Sequence, residues 1–179
     1  MTRGSTSSSV VLDTSVIVKG ILKPSRHLPR NVYGREIETH RKIRAILEIL
    51  ESRGYTVYFP RAGIVEVAAV LKRGGLDKQA IIGLTGSMEE TFVIVGEGIV
   101  YGKAFEVALE RAPSGFDTYF IALAATTNST LITDDKSMAN HAKALGIETI
   151  LVRETSLDQI RRKLARQPNT ENSSSGPPR

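Results

Sequence analysis

Short apolar runs recur along this chain, each followed by a stretch whose apolar residues are spaced as on one face of a helix. Val10-Val11-Leu12 is unbroken, as expected of a strand buried on both faces of a parallel sheet. Ile37, Ile43, Ile46, Leu47 and Leu50 then follow helical spacing, and Gly54 stands where a helix C-terminus is usually closed. Further strands are expected over residues 55–59, 92–95, 130–133 and 148–152. Helices are expected over 61–72, 77–88, 99–111, 116–126, 137–145 and 157–166. This alternation predicts an α/β fold of three layers (α/β/α), a twisted parallel sheet of about five strands with helices on both faces.

At 179 residues and 41% hydrophobic content, the chain suits one domain with a real core. No internal repeat or linker interrupts residues 10–166, which are read as that domain. The ends, 1–9 and 167–179, are polar, small or Pro/Gly-rich, and are expected to be disordered. Cysteine is absent, which removes disulfides, thiolate metal sites and a cysteine nucleophile. No apolar run approaches the ~18 residues of a membrane helix, so a soluble, cytoplasmic protein with no membrane partner is expected. The net charge of +5 points mildly to an anionic partner.

Against this background, Asp13, Glu66, Asp117 and the Asp134-Asp135 pair stand at the ends of apolar strands or inside apolar helices. Acids tolerated in such places commonly share a hard divalent cation. In open parallel sheets, ligand sites lie beyond the C-terminal ends of the strands. Asp13 directly follows the first strand, and Asp134 and Asp135 follow Leu131-Ile132-Thr133. If those strands are neighbours, their acids share one edge of the sheet. Local roles also suit these residues: Asp13 and Asp135 could cap the helices that follow, and Ser114 with Asp117 has the spacing of a capping box. Glu66 is the only polar side chain from Ala62 to Leu71, with no Lys or Arg at helical spacing. An all-apolar helix is normally buried, so this carboxylate is expected to find a distant partner.

The stretches Val-Leu-Asp13-Thr14-Ser15-Val-Ile-Val, Gly-Phe-Asp117-Thr-Tyr-Phe-Ile-Ala-Leu-Ala and Leu-Ile-Thr133-Asp134-Asp135-Lys-Ser-Met, with the helical Glu66 between them, resemble the PIN-domain nucleases. The likeness runs over most of Val10 to Val152. It implies that Asp13, Glu66, Asp117 and Asp135 are the catalytic acids and hold one or two Mg²⁺ or Mn²⁺ ions. Asp134 fills the variable slot beside them and is read as auxiliary. Ser15 and Thr133 are candidate hydroxyls around the metal or phosphate, or helix caps. The chemistry implied is hydrolysis of RNA phosphodiester bonds. The chain most resembles the VapC-type toxins, which implies an RNA substrate, a homodimer and an antitoxin partner. A housekeeping nuclease of RNA processing and a non-catalytic RNA-binding scaffold are the alternatives. Residue types alone do not separate RNA from DNA.

Between Lys19 and Arg44 lie eight basic residues against Glu36 and Glu38. Pro24, Pro29 and Gly34 predict a loop in the first half of this stretch. Lys19, Lys23, Arg26, Arg30 and Arg35 could track phosphates past the metal; a solvated insertion before an amphipathic helix is the other reading. Arg161, Arg162, Lys163 and Arg166 form a second basic cluster, read as facing solvent. His27, His40 and His141 lack metal-ligand spacing and are read as surface residues. Gly96, Gly98 and Gly102 miss the spacing of a dinucleotide turn, and no nucleophile elbow is present.

Overall fold

The computed structural model describes residues 9–165; both expected tails lie outside the described residues, except that Ser9 already belongs to the first strand. Five strands form one sheet: β1 (Ser9–Leu12), β2 (Thr56–Pro60), β3 (Val93–Val95), β4 (Thr130–Thr133) and β5 (Thr149–Leu151). Their order is β3-β2-β1-β4-β5, every pair parallel. The helices are α1 (Thr14–Ile21), α2 (Arg30–Ser52), α3 (Arg61–Arg73), α4 (Lys78–Thr91), α5 (Glu97–Arg111), α6 (Gly115–Thr127), α7 (Lys136–Ala144) and α8 (Leu157–Ala165). The expected three-layer α/β/α fold is the observed one.

β1 lies at the centre of the sheet, and its residues Val10, Val11 and Leu12 are fully buried. Leu131 and Ile132 of β4 are equally inaccessible, so these two strands form the floor of the core. This is why both read as unbroken apolar runs rather than alternating ones. α6 supplies the other side, with Phe120, Ile121, Ala122, Leu123 and Ala124 all buried. It packs against β1, β2 and β4 and, on its outer side, against α5.

Most expected boundaries agree to within three residues, but the basic stretch differs. The loop expected from Pro24, Pro29 and Gly34 is confined to 22–29. α1 continues through Lys19 to Ile21, and α2 begins immediately after Pro29. Proline is well tolerated at that helix edge because the first helical N–H groups have no intrahelical acceptor. Gly34 sits in an exposed turn of α2. α3 also departs from expectation: its apolar composition predicts burial all round, yet Val65 is 68% exposed and only Gly63, Val67 and Leu71 are buried. Gly63 admits the close approach of α3 to the core, because a Cβ there would stand 2.6 Å from the Phe59 ring and 2.9 Å from that of Phe120.

Candidate metal centre

The condition set by the sequence, that the strands preceding Asp13 and Asp134 be neighbours, is met. Leu12 is in register with Ile132, and the Asp13 N–H donates to the Ile132 carbonyl at 3.0 Å, extending the β1–β4 ladder by one residue. Strand order turns back between β1 and β4, since the chain proceeds outward from β1 to β2 and β3 and then crosses to β4. Ligands of open α/β sheets bind at such a reversal.

Asp13 is buried, and two hydroxyls hold its carboxylate. Ser15 Oγ and Thr133 Oγ1 both donate to Oδ2, the second at 2.7 Å. Each hydroxyl also accepts a backbone N–H: Ser15 from Asp134 at 3.1 Å, Thr133 from Asp135 at 2.9 Å. Asp13 precedes α1 without capping it through its side chain, so its carboxyl is not used up by the helix. Ser15 and Thr133 therefore orient an acid and stitch the end of β1 to the end of β4.

The other acids arrive from separate elements. Glu66, on the half-buried face of α3, accepts from Thr14 Oγ1 at 2.6 Å. Asp117 lies in the first turn of α6, where Ser114 Oγ accepts its N–H at 3.4 Å. Asp135 caps α7, one oxygen accepting the Met138 N–H at 2.9 Å. The local cap roles expected for Asp135 and Ser114 are thus present, and they fix where the acids stand.

Electrostatics link the four acids. Burial pushes the Asp13 carboxyl up to about 6, against the Ser15 and Thr133 hydrogen bonds and with the added repulsion of Asp117. Burial also raises Asp117; the Ser114 hydrogen bond opposes this, and Asp135 and Glu66 add to it. Asp117 thus stands within the field of Asp135 and Glu66, and Asp13 within that of Asp117. Among the described residues, no three carboxyl or imidazole groups are disposed to close around one ion. The four acids share a field rather than a finished coordination sphere. By donor type they fit a hard divalent cation, which takes oxygen ligands and retains water in the remaining positions.

Asp134 has a different role from its neighbour. Its carboxylate is 1% exposed and lies between two cations. Arg153 reaches Oδ2 at 2.9 Å and Oδ1 at 3.2 Å, and the Arg153 N–H donates to Oδ1 at 3.0 Å. Lys19 Nζ reaches Oδ2 at 2.6 Å and also Glu36 at 2.6 Å. Burial alone would raise the Asp134 carboxyl, but these bonds outweigh it and hold it below its usual range. Both oxygens are engaged by side chains of the protein.

Of the basic residues singled out above, Lys23, Arg26, Arg30 and Arg35 are exposed, whereas Lys19 is spent on Asp134 and Glu36. Arg161, Arg162 and Lys163 are exposed, and Arg166 lies outside the described residues. Thr14, Arg153 and His141 were not foreseen. Thr14 was legible as part of the Asp-Thr-Ser run; Arg153 follows a strand with no local signal. His40 and His141 are half-buried rather than on the surface. His141 acts electrostatically on Asp117, and its Nδ1 is buried with no hydrogen-bond partner among the described residues.

Comparison with known proteins adds three findings. No curated protein matches the sequence. Among solved structures, the chain is similar to PAE2754 from Pyrobaculum aerophilum, with a TM-score of 0.51 at 13% identity, covering 92% of this chain and 94% of that one. It is also similar to FitAcB from Neisseria gonorrhoeae, with a TM-score of 0.49 at 19% identity, covering 82% and 99%. The first likeness supports the fold. The family model for the PIN domain matches residues 10–144, three quarters of the chain and every element from β1 to α7. The chain accordingly belongs to the PIN-domain family, whose members are in general nucleases and typically use divalent metal ions.

Proposed function

We propose that this protein is a divalent-metal-dependent endoribonuclease, with Asp13, Glu66, Asp117 and Asp135 holding Mg²⁺ or Mn²⁺. The observation that carries the reading is that Asp117 feels the charges of Asp135 and Glu66 and itself acts on Asp13, beside the hydrogen-bonded end of β1 and β4. Bound there, the cation supplies Lewis-acid polarisation of a phosphate oxygen and lowers the pKa of a coordinated water. The chain's own residues prepare the site. Ser15 and Thr133 fix the orientation of Asp13, and Thr14 fixes that of Glu66. The exposed cations Lys23, Arg26, Arg30 and Arg35 draw the polyanion towards this edge of the sheet. Asp134 is a structural counter-ion for Lys19 and Arg153 and lies outside the metal's ligand set.

The assay is cleavage of labelled RNA by the wild type and Asp117→Asn, each with Mn²⁺ and with EDTA. Cleavage by the wild type in Mn²⁺ alone is expected. Equal cleavage by both proteins overturns the site, and cleavage by neither leaves an RNA-binding scaffold. The same oligonucleotide as DNA tests the choice of RNA.

The biological role proposed is that of a toxin restrained by an antitoxin, acting as a homodimer. It is supported by the sequence resemblance and by a row of exposed apolar residues at i, i+4 and i+8 along α5 (Tyr101, Phe105 and Leu109) suited to a protein partner. Growth arrest on expression of the wild type, but not of Asp117→Asn, is the expected result. Growth unaffected by an active enzyme favours the housekeeping role.

A further inference from the structure

The connection between α1 and α2, with the start of α2, forms a half-open cavity of about 190 Å³ whose wall includes Lys19, the partner of Asp134. Val18 and Leu22 of α1, with Pro24 and Leu28 of the connection, make its apolar walls. Its polar border is unusually well defined. His40 Nδ1 lies 2.5 Å from the Lys19 carbonyl. A carbonyl only accepts, so Nδ1 carries a hydrogen, which in a neutral imidazole leaves Nε2 as an acceptor. Glu36 adds a carboxylate whose Oε2 is held by Lys19 and whose Oε1 has only a 3.5 Å approach from exposed Arg35. Lys23 stands at the open side.

This cavity is physically joined to the acids. Lys19 lines it and binds Asp134; the Asp134 N–H donates to Ser15, and Ser15 donates to Asp13. Lys19 is thus shared between the cavity wall and the hydrogen-bonded group that ends at Asp13.

We propose that the cavity receives one unstacked nucleobase of the substrate strand and gives the enzyme a base preference next to its cleavage site. Resting on the nuclease reading above, this names how the same site selects its substrate. Apolar walls accept the flat faces of a base, and protein pockets that take an unstacked base read its edge by hydrogen bonds. The two edge groups here, His40 Nε2 and the Glu36 carboxylate, are acceptors; the single N3–H of uracil can satisfy only one of them, whereas both are met by the two N–H bonds of an exocyclic amine. Adenine, cytosine and guanine have one; uracil does not.

Two measurements test the proposal. The first is binding of fluorescent oligo(A), oligo(C) and oligo(U) to Asp117→Asn in EDTA, followed by anisotropy. Oligo(A) and oligo(C) are expected to bind about tenfold more tightly than oligo(U), the scale of one well-held base. Added Leu28→Trp, which fills the cavity, should erase the difference while leaving the weak, salt-dependent binding of all three. The second uses the unfilled cavity, so that a misfolded variant does not decide the matter. An oligonucleotide carrying one photoreactive adenine should crosslink within residues 18–40. Equal affinity for oligo(A) and oligo(U), a preference that survives Leu28→Trp in a folded protein, or crosslinks elsewhere each overturn the proposal; the last would leave the cavity to a protein partner. The nuclease reading is decided separately, by Mn²⁺-dependent cleavage. Base-selective binding without cleavage sinks that reading alone, and cleavage without base preference sinks this one alone.

Discussion

Asp13→Asn should make the metal-free protein more stable, and the size of the effect follows from the site. Asp13 is 5% exposed and its carboxyl is pushed up to about 6 from 3.8. Where both folded and unfolded states are ionised, that displacement corresponds to roughly 3 kcal/mol of destabilisation, at about 1.36 kcal/mol per pH unit. Asparagine removes the charge and retains an oxygen that can accept from Ser15 and Thr133. Those bonds weaken when the acceptor becomes neutral, which reduces the expected gain to about 2 kcal/mol. For a chain of this size that is roughly 4–8 °C in Tm. The sign with pH is fixed by the raised value. The folded state binds the proton more tightly, so the wild type suffers the full cost above about pH 6 and progressively less of it down to 3.8. Below 3.8 both states are protonated and the cost is gone. The advantage of asparagine should therefore be largest at pH 7.5 in EDTA and nearly absent below pH 4. Saturating Mn²⁺ should reverse the order, because binding at a hundred times Kd adds about 2.7 kcal/mol to the wild type. Thermal melts by circular dichroism over these conditions suffice. An asparagine variant that melts at or below the wild type at pH 7.5, with neither protein responding to Mn²⁺, would refute the shared field.

Thr133→Val removes one donor to Asp13 and the acceptor for the Asp135 N–H at a fully buried position; a loss of about 1–3 kcal/mol and a weakened Mn²⁺ response in the same melts are expected. Asp134→Ala leaves Lys19 and Arg153 facing each other; because both are partly exposed, about 2 kcal/mol is expected rather than the ~3–5 of a fully buried pair, by urea denaturation. The sign with pH is opposite to that of Asp13. Asp134 is held below its usual range, so its contribution is complete above pH 4 and falls away as pH drops through the lower folded-state value. Gly63→Ala forces a Cβ against the edge-to-face Phe59–Phe120 pair, whose centroids lie 5.4 Å apart, and should cost about 1–3 kcal/mol in the same experiment.

What the sequence could disclose differed from element to element. β1 and β4 were legible because burial on both faces leaves an unbroken apolar run. The acids that follow them were legible because a charge at the end of such a run lacks a packing reason. The extent of α2 was hidden, because Pro29 reads as a breaker from inside a segment and as a tolerated residue at the helix edge only once the helix start is known. α3 misled by composition: Ala and Val face solvent there as readily as they face a core, so an apolar run overstated burial. Glu66 was found through that overstatement, yet what fixes it is Thr14, 52 positions earlier in the sequence. Pairings of that separation exist only after α1 and α3 have met, and no local pattern encodes them.

The Asp134-Asp135 pair shows how strand geometry separates two identical side chains. Consecutive residues leaving an extended strand point to opposite sides. Asp134 turns to Lys19 and Arg153, which neutralise it. Asp135 turns to the start of α7, where it caps the helix and repels Asp117. Segregation has a consequence for the site. Had Lys19 or Arg153 faced the acids, the excess negative charge that attracts a divalent cation would have been cancelled internally. By pairing with both cations, Asp134 offsets much of their charge, and what Arg153 still exerts falls on Asp135. The same pairing anchors α1, which follows directly on Asp13, to the residues just beyond β5. In the proposed metal site, Asp134 would thus act from outside the ligand set, through the cations it binds.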